Sequence, residues 1–542
     1  MKNINLKKSL VALTTAALVA ALAVVIPTTA RAAEPTCSEV AAAVKYSARN
    51  AQLCTGVDQF GAKYEIAMPN KFNGTLIVWS HGIRKNVNLP PIPVVADKGY
   101  VVDNSAEIAP SPAIAAALLK QGFALAGSGV QTQGWNLAEQ VLATTIVIDQ
   151  AITTFPAIDR VAAWGASLGG LSTQILAETN PGLVEAVAPV CLADSALSEI
   201  TMAGDFLWGL KTFFDPSIKA FGYSSGDTGY REMLTDIQKV LGVIVKLQTA
   251  ITIDPKTPKW PDTTPASAAG LSAVVPVRSA ILLLGLVSGI STQSNTYDAS
   301  SGPKGVPSDE TSFGLAISPA LAVLENGAQA ALLAVNANYD MELRAGGIVY
   351  DNSKTNFAAR LGDDSDAFAA ALSGKSAITG MLSYLSALNP AAPRVTANAS
   401  SVATMKALGE ISGKITVPTI TLTATADHIT PPGATQYLIN QYNSAIASGD
   451  SKKGLLVNIW NKPADEYTKF VDGKPVKPAT PTNGTEHCNF TASQWMMIAK
   501  MLTDSAKSGK VPSTKTVAAA IKKDKNLFVD PNYTAPLLKA RQ

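Results

Sequence analysis

The chain has 542 residues, of which 47% are hydrophobic and 16% are charged. It is too long and too apolar to be a disordered protein or a miniprotein held together by disulfides. Lysine and arginine number 44 against 41 aspartates and glutamates, which gives a net charge of +3. Four of these cations lie in residues 1–32, and removing them takes +3 to −1. The charge balance therefore excludes a basic footprint for nucleic acid.

Residues 1–32 have the pattern of a secretory signal peptide. Three lysines in the first eight residues are followed by an almost uncharged apolar run over residues 9–26, and Ala30-Arg31-Ala32 supplies small residues for cleavage. The alternative is an uncleaved membrane anchor, because the run approaches the length that spans a bilayer. We expect cleavage, a secreted protein and no stable insertion in a membrane.

Four cysteines, Cys37, Cys54, Cys191 and Cys488, form an even set in an oxidising compartment, where three pairings are formally open. The short spacing favours a bridge between Cys37 and Cys54. That leaves Cys191 with Cys488 as the second disulfide. The alternative for Cys191 is a buried, small apolar side chain.

From Tyr64 onward, short β-rich runs alternate with helical patterns, which is typical of an α/β domain around a mostly parallel sheet. The predicted strands cover residues 75–80, 123–128, 161–164, 185–191, 417–424 and 455–460. The predicted helices cover residues 137–154, the segment that ends near residue 179, and residues 434–447.

The interval between the fourth and fifth of these strands is too long for a simple connection and predicts a structured insertion. Within it, Ile237, Val240, Leu241, Ile244 and Val245 recur at helical spacing, so an amphipathic helix is expected. The insertion is predicted to be a large, mainly helical cap. The expected division is signal peptide 1–32, first core part 33–194, cap 195–410, second core part 411–508 and C-terminal tail 509–542.

Gly165-Ala166-Ser167-Leu168-Gly169 is a G-x-S-x-G motif between a predicted strand and a predicted helix. Such a tight turn exposes its serine, and the helix that follows offers free amides to a developing oxyanion. The motif in this context predicts a nucleophilic serine. The alternative is an ordinary glycine-rich turn.

A nucleophilic serine needs a base, and the chain has three histidines: His81, His428 and His487. His487 follows the last predicted strand, as the order Ser…Asp…His requires. Asp427, at the end of the strand over residues 417–424, is the favoured acid, and Asp194 is the competing one. His81 is expected to shape a loop, and His428 to line a pocket or lie at the surface. No metal site is expected, because ligand spacings such as H-x-x-x-H and C-x-x-C are missing from the sequence.

In this order, the motifs resemble those of the α/β-hydrolase fold, specifically of secreted serine hydrolases with esterase, lipase and aminopeptidase members. The resemblance covers residues 64–194 and 411–500. It implies that Ser167 is the nucleophile, Asp427 the acid and His487 the base. It further implies that the amides of Leu168 and Ile83 form the oxyanion hole and that the insertion is a cap over the substrate pocket.

Six aromatic residues fall between Gly204 and Tyr223, shortly after the fourth predicted strand. Such a cluster is able to line an acyl or aryl pocket, so Phe206 and Trp208 are predicted to bind substrate. Trp135, in Gly134-Trp135-Asn136, is assigned to the same pocket. The alternative for the cluster is the hydrophobic core of the cap.

These features predict a secreted serine hydrolase that cleaves a small or polymeric carboxylic ester through an acyl-enzyme, without a cofactor. The first alternative is an extracellular aminopeptidase or amidase with the same triad. It would need cap acids to hold a substrate ammonium. The candidates for that role are Asp205, Asp215, Asp363, Asp364 and Asp366. The second alternative is a non-catalytic binding protein on a hydrolase fold.

Overall fold

The computed structural model describes residues 34–254, 257–298, 317–472 and 474–542. The predicted signal peptide therefore lies outside the described residues. The fold is α/β, with one large, mostly parallel sheet and a long helical insertion, which confirms the predicted fold class.

Ten of the twelve described strands form the main sheet, in the order β1-β2-β3-β5-β4-β6-β7-β8-β9-β12. The strands are β1 (Thr36–Ser38), β2 (Ala51–Val57), β3 (Lys63–Pro69), β4 (Thr75–Ser80), β5 (Ala124–Ser128), β6 (Arg160–Ala166), β7 (Ala186–Val190), β8 (Thr419–Ala424), β9 (Leu456–Asn461), β10 (Lys469–Val471), β11 (Lys474–Val476) and β12 (Leu527–Phe528). Strands β10 and β11 form a separate hairpin.

The six strands from β5 to β9 along the sheet are parallel, and antiparallel strands complete both edges. Every residue of β4, β7 and β8 is buried, because helices cover both faces of the sheet. The sequence predicts these six strands to within about two residues at each end. It does not predict the antiparallel edges, which include strands of only two or three residues.

The described helices are α1 (Glu39–Tyr46), α2 (Pro112–Lys120), α3 (Leu137–Thr154), α4 (Leu168–Thr179), α5 (Ala196–Phe213), α6 (Gly226–Ile253), α7 (Ala269–Ser272), α8 (Val277–Ser288), α9 (Ser318–Ala345), α10 (Phe357–Leu361), α11 (Asp364–Ala367), α12 (Gly374–Tyr384), α13 (Ala399–Ala407), α14 (Gly433–Ser448), α15 (Ala492–Ser508) and α16 (Thr514–Ile521). Helices α3 and α4 pack on one face of the sheet, and α1, α2, α15 and α16 on the other.

The second face contains a cluster of three tryptophans. Trp79 of β4, Trp164 of β6 and Trp495 of α15 meet edge to face, with ring centroids 5.5 to 5.8 Å apart. All three side chains are buried. This aromatic cluster joins α15, in the second part of the core, to strands in the first part, so the two parts share one hydrophobic core.

The insertion between β7 and β8 contains α5 to α13 and has its own hydrophobic core. Ile237, Val240 and Ile244 of α6 point into that core, as predicted, whereas Val245 is 57% exposed. Helix α9 packs against α5, α6 and α8 and forms the centre of the cap. Within the described ranges, α9 is the one straight helix that is long and apolar enough to cross a membrane. Of its apolar 18-residue stretch, 67% is buried inside the protein.

Residues 509–542, which the sequence divides off only as a C-terminal tail, are integrated into the fold. Helix α16 buries Val517 and Ile521 against the sheet, and β12 pairs antiparallel with β9. Near the end of the chain, Arg541 forms ion pairs with Asp194 and Glu410. The apolar side chains of α16 and β12 explain this integration, since they complete the core beneath α15.

Candidate active site

Ser167 occupies the turn between β6 and α4 with φ of 60° and ψ of −125°. A positive φ is strained for a residue with a side chain and persists only where the surroundings hold it. Here the Ser167 amide donates to the Val190 carbonyl at 3.1 Å, and the Ser167 carbonyl accepts from the amides of Leu171 and Ala193 at 3.1 and 3.2 Å. The backbone thus fixes the serine at the carboxyl end of β6.

Two glycines of the G-x-S-x-G motif are required by close backbone contacts. A Cβ atom at Gly165 would lie 2.2 Å from the carbonyl oxygen of Gly169. One at Gly169 would lie 2.1 Å from the carbonyl oxygen of Ser80, at the end of β4. No side chain fits at such distances, so the motif reflects how tightly the turn packs against the neighbouring strand.

Asp427 follows β8 and contacts His487, which lies in the loop before α15. His487 Nδ1 is 3.1 Å from Asp427 Oδ1 and 3.0 Å from Oδ2. Asp427 Oδ1 also accepts hydrogen bonds from the amides of Ile429 and Thr430 at 2.9 and 3.0 Å. The carboxylate is therefore held by backbone donors while it orients the imidazole.

The environment keeps Asp427 ionised. Burial by itself would raise the pKa of this carboxyl, because its side chain is fully shielded from solvent. The charge on His487 and the hydrogen bond from it, together with His428 and the amide donors, outweigh burial and lower the pKa of Asp427 below its usual value.

Thr430 is a further member of this group that sequence reasoning missed. Its hydroxyl donates to the Cys191 carbonyl at 2.8 Å and lies 3.2 Å from Asp427 Oδ2 and 3.3 Å from His487 Nδ1. Thr430 thus connects Asp427, His487 and the end of β7. Its position three residues after Asp427 is the one signal in the sequence that could have drawn attention to it.

The structure contains the bridge favoured by spacing, Cys37–Cys54, and the bridge that this pairing leaves, Cys191–Cys488. Cys37 and Cys54 are opposite each other on β1 and β2, and Cys191 is joined to Cys488 with a Cα–Cα distance of 5.5 Å. The second bridge links the residue after β7 to the residue after His487. The amide of Cys488 also donates to Asp427 Oδ2 at 3.2 Å.

Asp194, the competing acid, is bound elsewhere. Arg541 donates to its two carboxylate oxygens, from Nε at 2.6 Å and from Nη2 at 2.9 Å. Burial raises the pKa of Asp194 although Arg541 opposes that rise. The Asp194 carboxylate therefore serves a structural ion pair, and the carboxylate that accepts from His487 Nδ1 is that of Asp427.

Ser167 and His487 are brought to the same edge of the sheet through β7. The carbonyl of Val190, at the end of β7, accepts a hydrogen bond from the Ser167 amide. The next residue, Cys191, forms the disulfide with Cys488, which directly follows His487. Among the hydrogen bonds of the described residues, none joins Ser167 Oγ to His487 Nε2. Such bonds are often long in ligand-free sites and tighten when substrate binds.

Leu168 and Ile83, the residues expected to form the oxyanion hole, both lie beside Ser167. Both residues line the cavity that Ser167 opens into, and no hydrogen bond between described residues uses either amide. Gly82 lets the loop that carries Ile83 approach Ser167 closely, since a Cβ at Gly82 would lie 3.3 Å from the Cβ of Ser167. Two free donors next to a serine are the requirement for stabilising an oxyanion.

The other two histidines are buried and neutral. His81 Nδ1 lies 2.6 Å from the Gly82 carbonyl, and burial, assisted by Arg84, lowers its pKa to about 4. His428 Nε2 lies 3.2 Å from Gln329 Oε1 of α9, and burial lowers its pKa to about 4. His81 accordingly lies in the loop that carries Ile83, while His428 lines the cavity and contacts the cap.

The cavity above Ser167 is enclosed mainly by apolar side chains of the cap. Its walls include Ile200, Met202 and Ala203 of α5 and Ala334, Ala337 and Met341 of α9. Trp135 lines it, as predicted, and is held there by a 2.6 Å hydrogen bond from its amide to Asp340 of α9. Polar groups in the wall include Glu199, Ser288 and Thr430.

Phe206 and Trp208 lie away from this cavity, which corrects the prediction for both. They are 0% and 1% exposed in the hydrophobic core of the cap. Trp208 stacks on Phe357 at 5.2 Å and donates to the Pro393 carbonyl. Aromatic density follows the packing needs of the cap core here, and the cavity walls consist of smaller aliphatic side chains.

Asp427, His487 and Cys488 are the one group within the described ranges whose atoms are close enough to hold a metal ion. The sulfur of Cys488 is bonded to Cys191 and is therefore not a thiolate ligand. The same carboxylate and imidazole already bind each other, so this group does not provide a metal-ligand set.

Comparisons with known proteins found distant structural similarity only. No family model and no curated protein sequence matches the chain. An esterase from Aspergillus oryzae is 12% identical over 76% of this chain and 72% of its own, with a TM-score of 0.35. Feruloyl esterase B from the same organism is 12% identical over 85% and 81%, with a TM-score of 0.38. The rice cell wall degrading esterase LipA from Xanthomonas oryzae is 11% identical over 80% and 92%, with a TM-score of 0.32.

Proposed function

We propose that the protein is a serine hydrolase that cleaves carboxylic esters through an acyl-enzyme. The observation that carries this proposal is the arrangement at the carboxyl edge of the sheet, where Ser167, in a strained turn, lines the cavity and β7 connects it to the loop of a hydrogen-bonded Asp427–His487 pair. The proposed reaction uses side chains and backbone amides of this chain and calls for no cofactor.

In the proposed reaction, Ser167 Oγ attacks the ester carbonyl while His487 Nε2 takes its proton. Asp427 orients the imidazole through Nδ1 and balances the positive charge that forms. The amides of Leu168 and Ile83 stabilise the negative oxygen of the tetrahedral intermediate. His487 then returns the proton to the leaving alcohol, and water releases the acyl group by the same route.

The acidic side chains suggested for ammonium binding are engaged in contacts within the protein, which favours an ester over an aminoacyl substrate. Asp205 is bonded to Arg360 and Tyr350, Asp215 caps the turn at Ser217, and Asp364 pairs with Lys539. None of the five acids suggested for ammonium binding lines the cavity, and burial raises the pKa of the carboxyl that does line it, that of Glu199. The apolar cavity walls instead favour an uncharged acyl group, from a small or a polymeric ester.

We also propose that the protein is secreted. Two disulfides support this, because such bonds persist in oxidising compartments. Detection of the processed chain in culture medium, cleaved after residue 32, would test both secretion and the signal peptide.

The test of the enzymatic proposal is a panel of p-nitrophenyl esters and aminoacyl p-nitroanilides, together with a fluorophosphonate probe. The probe should label Ser167, and Ser167→Ala should lose ester turnover by about a million-fold while its melting temperature stays close to that of the wild type. Ser288→Ala is the matched control, because Ser288 lines the same cavity. Labelling of another serine, or turnover by Ser167→Ala within about tenfold of the wild type, would overturn the proposal.

A further inference from the structure

Glu199 is an acidic side chain in the cavity wall that the proposed triad does not use. It lies in the first turn of α5 and lines the cavity with Ser167 and Leu168. Its Oε1 accepts a 2.9 Å hydrogen bond from the amide of Asp194. Within the described part of the chain, Oε2 has no hydrogen-bond partner. One oxygen of this carboxyl therefore remains for whatever fills the cavity.

The position of Glu199 is set by a rigid support. The amide that holds Oε1 belongs to Asp194, whose carboxylate is bonded through two hydrogen bonds to Arg541. The guanidinium of Arg541 in turn lies 3.6 Å from the ring centroid of Tyr437. This chain of contacts fixes the Asp194 backbone, so the carboxyl of Glu199 is held in place before any ligand arrives.

The surroundings of Glu199 favour the neutral carboxylic acid. Burial raises its pKa well above the usual range. The amide of Asp194 and the charge of Arg541 lower the pKa, while the negative charges of Asp194 and Asp427 raise it further. His428, which lines the same cavity, is held neutral by burial and offers no positive charge to a carboxylate. A neutral carboxyl with one oxygen already accepting a hydrogen bond presents an O–H donor to the cavity.

On the basis of the proposed ester hydrolysis, we propose that Glu199 determines substrate specificity by donating a hydrogen bond to an oxygen in the acyl group. The preferred substrates would then be esters whose acyl chain carries a hydroxyl, ether or carbonyl oxygen. The acyl group is the part addressed, because it stays bonded to Ser167 in the cavity after the alcohol leaves.

The physical reason for selectivity is a cavity wall that is apolar apart from a few polar side chains, such as Ser288, His428 and Thr430. Ile200, Met202 and Ala203 on the same helix offer no acceptor to the Glu199 O–H. An alkyl chain in the cavity removes water and leaves this donor unpaired, which costs binding energy. A chain with an oxygen at the matching position pairs the donor, and this difference discriminates between the two substrates.

The test compares p-nitrophenyl methoxyacetate with p-nitrophenyl butyrate, which have acyl chains of equal length, and corrects each kcat/KM for the rate of hydrolysis by hydroxide. The wild type should prefer the methoxy ester by about tenfold or more. Glu199→Leu should abolish the preference. Glu199→Gln should keep part of it, because its amide N–H also donates. Met202→Leu, which changes the same wall without a polar group, should keep the preference unchanged.

Dependence on pH provides a readout that a purely structural role would not affect. The preference should fall in the wild type as pH rises and Glu199 loses its proton, and it should stay constant in Glu199→Gln. An equal preference in wild type and Glu199→Leu would overturn the inference while leaving ester hydrolysis intact. A wild-type preference for an aminoacyl ester would also overturn the inference if Glu199→Gln lost that preference. Glu199 would then be an ionised carboxylate that binds the substrate ammonium. If no ester is turned over and no probe labels Ser167, the proposed function fails, and this inference fails with it.

Discussion

The edge of the sheet and the cap above it are held together in different ways. At the sheet edge, backbone hydrogen bonds fix Ser167, amide donors fix Asp427, and a disulfide fixes the residue beside His487. In the cap, by contrast, apolar side chains packed around α9 determine the shape of the cavity. The difference teaches that the proposed reactive groups are held by specific bonds that leave them little freedom, whereas the shape of the cavity depends on side-chain packing that tolerates substitution. Substitutions at the edge should therefore cost rate, and substitutions in the cap should cost stability or selectivity.

After the loss expected for Ser167→Ala, the next largest effect separates Asp427 from Asp194 at the sheet edge. Asp427→Asn keeps the size of the side chain but lets the imidazole take the wrong tautomer, so kcat should fall by about ten-thousand-fold. Asp194→Asn should reduce kcat far less, because Asp194 pairs with Arg541. Steady-state kinetics of both variants on one ester decide the matter. If Asp194→Asn were the more damaging change, the acid would be wrongly assigned.

The next effect compares the two disulfides. Replacing Cys191 and Cys488 together by serine releases the loop that carries His487, and a displacement of about 1 Å at a catalytic group costs about a hundredfold in rate. We expect kcat to fall by that order, KM to change less, and the melting temperature to drop. The matched control replaces Cys37 and Cys54, which should lower stability without a comparable loss of kcat. Equal loss of kcat in both double variants would show that the second bridge has no special role.

Within the cap, a core position and a wall position should behave differently. Trp208→Ala should lower the free energy of unfolding by about 3–5 kcal/mol and leave the order of preference among acyl chain lengths unchanged. Ala337→Leu places extra atoms in the cavity and should reduce kcat/KM for long acyl chains by about tenfold relative to short ones. Denaturation curves and a chain-length series measure both. A changed chain-length order in Trp208→Ala would mean that the cap core and the cavity are coupled.

The smallest effect concerns His428, where the cap meets the sheet edge. Its pKa is about 4 in the folded protein against 6.5 for the free group, so unfolding takes up a proton between these values. Its contribution to stability is complete above pH 6.5 and is lost as pH falls to about 4. This lowering of the pKa corresponds to about 3 kcal/mol of the free energy of unfolding. As pH falls from 6.5 to about 4, the free energy of unfolding should therefore decrease less in His428→Gln than in the wild type. Denaturation curves at several pH values measure this. Parallel curves for the two proteins would contradict this.

The sheet edge was more predictable from sequence than the cap. Ser167 lies in a local motif in which Gly165 and Gly169 leave no room for a side chain. The chain has only three histidines, so the choice of base is narrow. The end of a predicted strand then indicated Asp427, and pairing Cys37 with its near neighbour Cys54 left Cys191 for Cys488. Each of these signals is local or depends on chain order alone.

The cavity, in contrast, depends on contacts between distant segments. The density of aromatic residues around Phe206 and Trp208 is equally compatible with a core and with a binding site, and the structure assigns both residues to the core. Glu199 resembles any acid in the first turn of a helix, and its importance emerges only when α5 packs beside Ser167. Arg541 lies 347 residues from Asp194, so no local pattern connects them.

The aromatic cluster beneath the sheet gives the protein an internal optical reporter. Trp79, Trp164 and Trp495 lie within 6 Å of one another at nearly perpendicular angles, in a geometry that exists only when α15 is seated on β4 and β6. The cap tryptophans belong to a different hydrophobic core. Near-ultraviolet circular dichroism from the cluster therefore follows assembly of the sheet, whereas heat absorption follows the whole chain. Coincidence of the two melting curves means that cap and sheet unfold as one unit, and a separation between them measures the independence of the cap.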